Sequence, residues 1–275
     1  MRLEELKLQL DEKFIKPKYS DDWRGYPKYF EKYLTNEFKE KHMGLMFDFS
    51  KEIKKVVTCT FPSKESISKI KGEDILVVSH HAANWDIRNA PEVFEYLDES
   101  IVLDMKKRRI SLYVLHVPLD EDHEFGTSVC LSEVLGLKKI KAFYNYHGAL
   151  AGLLNEEYDL NSLLKKCEDL VKHNVGFYNY GENKGKVSVV GGGGLDKRVL
   201  DEMVSLNSNI LVTGITILNK RNNELHEFCL ANKINLIGLT HYSSEKFAMI
   251  KLLKYFEKLG LNSEFIEETP VLEDI

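Results

Sequence analysis

The chain has 275 residues, enough for one large α/β domain or two of ordinary size, each able to bury a core without staples. Hydrophobic residues make up 43% and charged residues 29%, a globular mix, and a formal charge of −5 offers no basic face for gripping nucleic acid. No apolar stretch approaches the ~18 residues of a membrane span, and the charged N-terminus "MRLEELKLQLDEKF" has no signal-peptide core, so a soluble cytoplasmic protein is expected.

In chain order, residues 1–52 read as a helical N-terminal segment. "LEELKLQLDEKF" has leucines at helical spacing, and "PKYFEKYLTNEFKEKH" opens on a helix-favouring proline. The Pro, Gly and Asp content of "KPKYSDDWRGYPK" marks a loop between them, whose tyrosines and Trp23 read as packing. From about Ile53 the pattern changes to strand–helix–strand. "KKVVTCTF" is a strand, "SKESISKIK" a helix after Pro62, "DILVVSHH" a strand, "PEVFEYLDES" a helix, "SLYVLHVPLD" a strand with an overrun, and "SVCLSEVLGL" a helix. The basic run "MKKRR" from Met105 to Arg109 reads as a solvated helix surface.

The pattern then repeats. "KVSVVGGGG", "NILVTGIT" and "NLIGLTHYSSE" are strands, with helices at "LDKRVLDEMVSL", "NELHEFCLANK" and "KFAMIKLLKYFEKLGL". "EDILVVSHH" lines up with "SNILVTGIT", and "YVLHVPLD" with "LIGLTHYSSE". The fold class is therefore α/β, two similar lobes from an internal duplication, at 53–140 and 181–275. A helical insert at 141–180, containing "HGALAGLLNEEYDLNSLLKKCEDLVKHN", joins them. The four cysteines, Cys59, Cys130, Cys167 and Cys229, form no CxxC pair and fit reduced thiols.

In α/β sheets functional groups collect where strands end. Three strand ends here carry histidine and acid: His80–His81; "LHVPLDEDHEFG" with His116, Asp120, Asp122 and His123; and "THYSSE" with His241 and Glu245 one helical turn apart. Imidazole with carboxylate suits Zn, Mn, Fe, Co or Ni rather than Ca or Mg. Adjacent histidines on a true strand face opposite sides, so either the strand breaks there or each imidazole addresses a different metal. The ligand surplus points to two divalent ions. Asp86 reads as a surface or capping acid. The run Gly191 to Gly194 could bring backbone N–H groups to a phosphate at a helix N-terminus, or could form a turn where only glycine fits.

At these residues the chain resembles the Nif-three-like family, often labelled GTP cyclohydrolase I type 2 homologues. "SHHAANW" resembles its HHxxxW segment, including Trp85, and "HVPLDEDHEFGTSVCLSEVLGL" its HxPLDxHxxxGNN segment. "VSVVGGGGLD" with "ILVTG" resembles its Gly-rich strand-turn, and "GLTHYSSEKFAMIKLLKYFEKLGLNSEFIEETP" its closing GHYxTE stretch. The resemblance covers about residues 50 to 275. It implies metal ligation by His80, His81, Asp120, His241 and Glu245, with His116 beside them, in a site shared by both halves. It also implies two divalent transition metals per chain and a ring-shaped homo-oligomer, typically a hexamer. The chain departs from the pattern at Asp122, at His123 one place along, at Thr127 and Ser128 in place of paired asparagines, and at Thr240 in place of a glycine. These changes leave the ligand set intact and bear on substrate identity.

Such a site suits metal-assisted hydrolysis of a phosphorylated or nucleotide-like small molecule, with His116, Asp122 or His123 as general acid or outer partner. The alternative is a non-catalytic metal-binding scaffold that works through partner proteins.

Overall fold

The computed structural model describes residues 1–87 and 94–275. Its strands, in chain order, are β1 (Gly44–Phe47), β2 (Lys55–Cys59), β3 (Ile75–Ser79), β4 (Ile110–Val114), β5 (Lys139–Tyr146) and β6 (Ala149–Asp159). They continue with β7 (Gly176–Tyr178), β8 (Lys184–Val190), β9 (Ile210–Thr213), β10 (Asn235–Gly238) and β11 (Asn262–Phe265). The chain divides into two units. One comprises Met1–Asp122, His147–Ala149 and Met249–Thr269; the other comprises His123–Tyr146, Leu150–Ala248 and Pro270–Ile275.

The first unit holds a sheet in the order β1-β4-β3-β2-β11. β1 is antiparallel to β4, and the remaining pairs are parallel. Every residue of β3 and β4 is buried, as expected for parallel strands covered on both faces. Their apolar chains pack with Phe30, Phe38, Phe47 and Trp23 from the N-terminal segment. Each fully buried Val or Leu of this kind contributes roughly 1.5–3 kcal/mol of transfer free energy.

The second unit holds the order β5-β6-β8-β9-β10-β7. Within it β8, β9 and β10 are parallel, and β7 runs antiparallel to β10. The series β1-β4-β3-β2 thus reappears as β7-β10-β9-β8, with the same directions. Registers agree as well: Ile75 stands opposite Ile110 and Lys55, and Ile210 opposite Asn235 and Val187. Ile110 and Asn235 are therefore equivalent positions. His116 and His241 lie six residues beyond them, Asp120 and Glu245 ten. The duplication read from the sequence is present in strand order, direction and register.

Several local expectations change. The stretch 27–42 is not one helix but a 3-10 turn (Lys28–Lys32) and a helix (Asn36–Lys41), because the Thr35 hydroxyl accepts the Phe38 N–H at 3.1 Å and restarts the helix. In "PEVFEYLDES" residues 91–93 lie outside the described residues. Glu95 bridges Asn84, and the helix begins only at Glu99. The segment read as a helical insert, 141–180, opens inside β5 and continues as the long strand β6, which pairs with β8 from Gly152 to Asp159. It becomes helical at Leu160–Val171, where Asp159 accepts the Ser162 N–H at 2.8 Å. The last long helix starts at His241 rather than after Glu245.

None of the four cysteines forms a disulfide, and all are buried. Among the described residues no helix is long and apolar enough to cross a membrane.

Candidate metal centre

In the first unit the ladder between β2 and β3 continues past its last named pair. His80 N–H donates to Cys59 O at 3.2 Å and His81 N–H to Thr60 O at 3.0 Å. The Ser79 hydroxyl turns back onto His81 O at 2.6 Å, so the strand breaks at the pair. The two imidazoles consequently lie with ring centres 4.5 Å apart and planes at 76°, rather than on opposite faces of the sheet. β4 ends next door and delivers His116, whose ring centre is 5.1 Å from His80 and 4.8 Å from His81. All three imidazoles are buried, and each can offer one ligand nitrogen within 4.8 Å of the others.

The helical turn after His116 (Val117–Asp120) brings Asp120 back toward the cluster, with Oδ1 3.6 Å from His80 Nε2. Ligands at about 2.0–2.2 Å around a tetrahedral ion stand about 3.4 Å apart, so this separation fits two donors to one ion. His80 is oriented for it, because Nδ1 lies 3.1 Å from the Leu115 carbonyl, an acceptor only. Nδ1 therefore carries the proton, which leaves Nε2 as the nitrogen that could ligate an ion. His81 is fixed by packing: Phe61 stacks on it at 4.5 Å and 9°, with Phe94 at 5.6 Å.

In the second unit the equivalent strand, β10, delivers His241 and, one helical turn on, Glu245. His241 Nε2 stands 3.3 Å from Glu245 Oε1, again the separation of two donors to one ion. Both side chains are buried. The first backbone N–H of that helix, on His241, donates to Asp274 Oδ2 at 2.9 Å, a carboxylate on the helix N-terminus. Thr240, just before, has φ +72, which explains why a glycine suits this position.

The glycine run packs against this pair. Gly192 has φ +66, and a Cβ there would collide with Glu245 Oε1 and meet His241 Nε2 at 2.8 Å. Three N–H groups of the run are engaged by hydroxyls: Gly191 with Ser128 at 3.1 Å, Gly192 with Ser244 at 2.8 Å, Gly194 with Thr213 at 2.9 Å. These three donors are engaged within the protein, and the close approach of Gly192 to His241 and Glu245 is the use of the run that the structure shows. Ser128, one of the departures from the paired asparagines, is what holds Gly191.

The remaining expected residues fall outside these groups. Asp122 is paired with Lys13 Nζ at 3.0 Å, and His123 is exposed. Asp86 is buried, not a surface acid. Trp85 packs on Phe94 with ring centres 5.2 Å apart.

Two functional-looking acids were not legible. Asp21 accepts a hydrogen bond from His116 Nδ1 at 2.9 Å, and Trp23 stands edge-on to both His81 and His116. Burial pushes the Asp21 carboxyl up, and the His116 imidazole more than offsets it, leaving Asp21 below the usual range. Conversely, burial pulls His116 down, and the Asp21 carboxylate outweighs it, so His116 is raised. Asp274, at the far end of the chain, had no sequence signal either.

Residues 27–270 match the family model Duf34/NIF3 (NGG1p interacting factor 3). A protein of Borreliella burgdorferi named "GTP cyclohydrolase 1 type 2 homolog" is 26% identical over 212 residues, covering 75% of this chain and 79% of its own. One of the same name from Pyrococcus horikoshii is 28% identical over 238 residues, covering 82% and 88%. Among solved structures, protein ybgI, titled as of unknown function, superposes with a TM-score of 0.74 at 18% identity, covering 98% of this chain and all of its own. Reduced HcgD from Methanocaldococcus jannaschii gives 0.68 at 18%, covering 98% of each chain. These two likenesses concern the fold.

Proposed function

The chain belongs to the Duf34/NIF3 family, and on that premise we propose that it is a metal-dependent hydrolase of phosphorylated or nucleotide-like small molecules. In this reading two divalent transition metal ions per chain are held by His80, His81, Asp120, His241 and Glu245. The observation that carries it is the burial of three imidazoles at adjacent strand ends, with an acid at ligand-to-ligand distance from one of them. Burying so many titratable groups costs free energy that a bound cation offsets. The name shared by the curated relatives favours a nucleotide-like substrate.

Bound divalent ions would polarise a phosphoryl or carbonyl oxygen and bring the pKa of a water toward neutrality. The protein's own residues do the rest. Asp120 and Glu245 neutralise the cationic charge, and the Leu115 carbonyl keeps His80 in the ligating tautomer. Proton handling is assigned to His116, because Asp122 is committed to Lys13 and His123 is exposed. The protein is read as cytoplasmic, assembled as a hexameric ring, with light scattering as the check on assembly.

The test is turnover. Protein loaded with Zn, Mn, Fe, Co or Ni is expected to hydrolyse at least one member of a panel of phosphomonoesters, phosphodiesters and nucleotides. Full loading with no turnover across the panel would overturn the hydrolase and favour a metal-binding scaffold.

A further inference from the structure

The loop that carries Asp21 lies before residue 27, where the family match begins, and it is fastened to its unit at many points. Lys18 Nζ bonds Glu121 at 2.6 Å, and the Tyr19 hydroxyl bonds the same carboxylate. Ser20 N–H donates to His147 O at 3.0 Å, Trp23 N–H to His42 Nδ1 at 3.2 Å, and the Tyr96 hydroxyl to Trp23 O at 3.0 Å. So many anchors over six residues fix where the Asp21 carboxylate stands. That place is 2.9 Å from His116 Nδ1, with the Asp21 carboxylate buried and the imidazole largely so.

An ionised carboxylate only accepts hydrogen bonds, so the nitrogen facing it carries the proton. The Leu115 carbonyl imposes the same state on His80. A carboxylate is the stronger version of that device, because the bond is charge-assisted and raises the basicity of the opposite nitrogen.

We propose that Asp21, supplied by the N-terminal segment, is a positioning residue that holds His116 as its Nδ1–H tautomer and leaves Nε2 as the nitrogen that meets metal or substrate. Trp23, edge-on to His116 at 5.2 Å, keeps the ring from turning over. The proposal rests on the reading above for what Nε2 does, but not for the tautomer.

The test separates the two. Protein labelled with ¹⁵N in histidine is stripped of metal and examined by long-range ¹H–¹⁵N spectroscopy across a pH titration, the tautomer being read where the His116 signals have reached their high-pH, neutral limit; His116→Gln assigns the signal. The expected spectrum shows a protonated Nδ1 and a bare Nε2 for His116, and Asp21→Ala shifts it toward the Nε2–H form. A wild-type His116 protonated at Nε2, or the same tautomer in Asp21→Ala, overturns the proposal. Should Asp21→Ala fail to fold, the wild-type spectrum decides alone. In folded Asp21→Ala, the loss of metal affinity or activity is expected to be about 10–100-fold. No metal in either protein would sink the proposed function while leaving the tautomer result standing.

Discussion

The phenyl ring of Phe61 lies flat on the imidazole of His81, ring centres 4.5 Å apart and planes at 9°. The ring is held there from a distance in sequence. The backbone N–H groups of Thr60 and Phe61 donate to Glu268 at 2.6 and 3.1 Å, tying the end of β2 to a carboxylate more than two hundred residues on.

Glu268 gives the first prediction. Burial pushes its carboxyl up to about 8, against the opposing pull of the two backbone N–H groups. A carboxyl raised on folding contributes stability that is fully present below its unfolded value near 4.5 and is lost as pH rises through 8. Glu268→Gln removes that titration. Melting curves of the two proteins are expected to diverge between pH 5 and 8, the wild type losing more; parallel profiles would count against it.

Gly192 is expected to be intolerant of a methyl group for a chemical reason. Gly192→Ala places a Cβ against both Glu245 Oε1 and His241 Nε2. Strain at positive φ costs about 1–2 kcal/mol, small beside the stability of a whole domain, so the fold is expected to survive while this pair loses its ligand geometry. Circular dichroism should be unchanged and metal content lower than wild type. A variant with full metal content would refute the assignment of this pair.

Lys172 closes the helix Leu160–Val171 in the left-handed region, φ +61, with an exposed side chain. Replacing it by glycine relieves about 1–2 kcal/mol of strain against about 0.4–1 kcal/mol of added freedom in the unfolded chain. Lys172→Gly should therefore melt about 2 °C higher. No change or a lower melting temperature would mean the strain is relieved elsewhere.

Histidine and acid at three strand ends stood out because strand ends concentrate chemistry, and the two halves share offsets that the strand registers reproduce; the set of five expected ligands itself came from the family resemblance. His116 and His241 correspond in sequence, where "YVLHVPLD" lines up with "LIGLTHYSSE", and in the structure each lies six residues beyond the equivalent positions Ile110 and Asn235. What escaped has no period. Asp21 sits in a polar loop 95 residues from the histidine it orients, and nothing in "YSDDW" separates it from a surface acid. Asp86 looked equally ordinary and is buried. β6 hid behind helix-forming residues, because its pairing with β8 decides its conformation and is not local. The glycine run was ambiguous until the hydroxyls of Ser128, Ser244 and Thr213 were seen to engage its N–H groups.

The most direct test of the centre is elemental analysis of the purified, metal-reconstituted chain beside a His80→Ala, His241→Ala double variant. We expect close to two transition metal ions per wild-type chain and little metal in the variant, with both proteins folded. Equal metal content in the two, or none in the wild type, would contradict the ligand set.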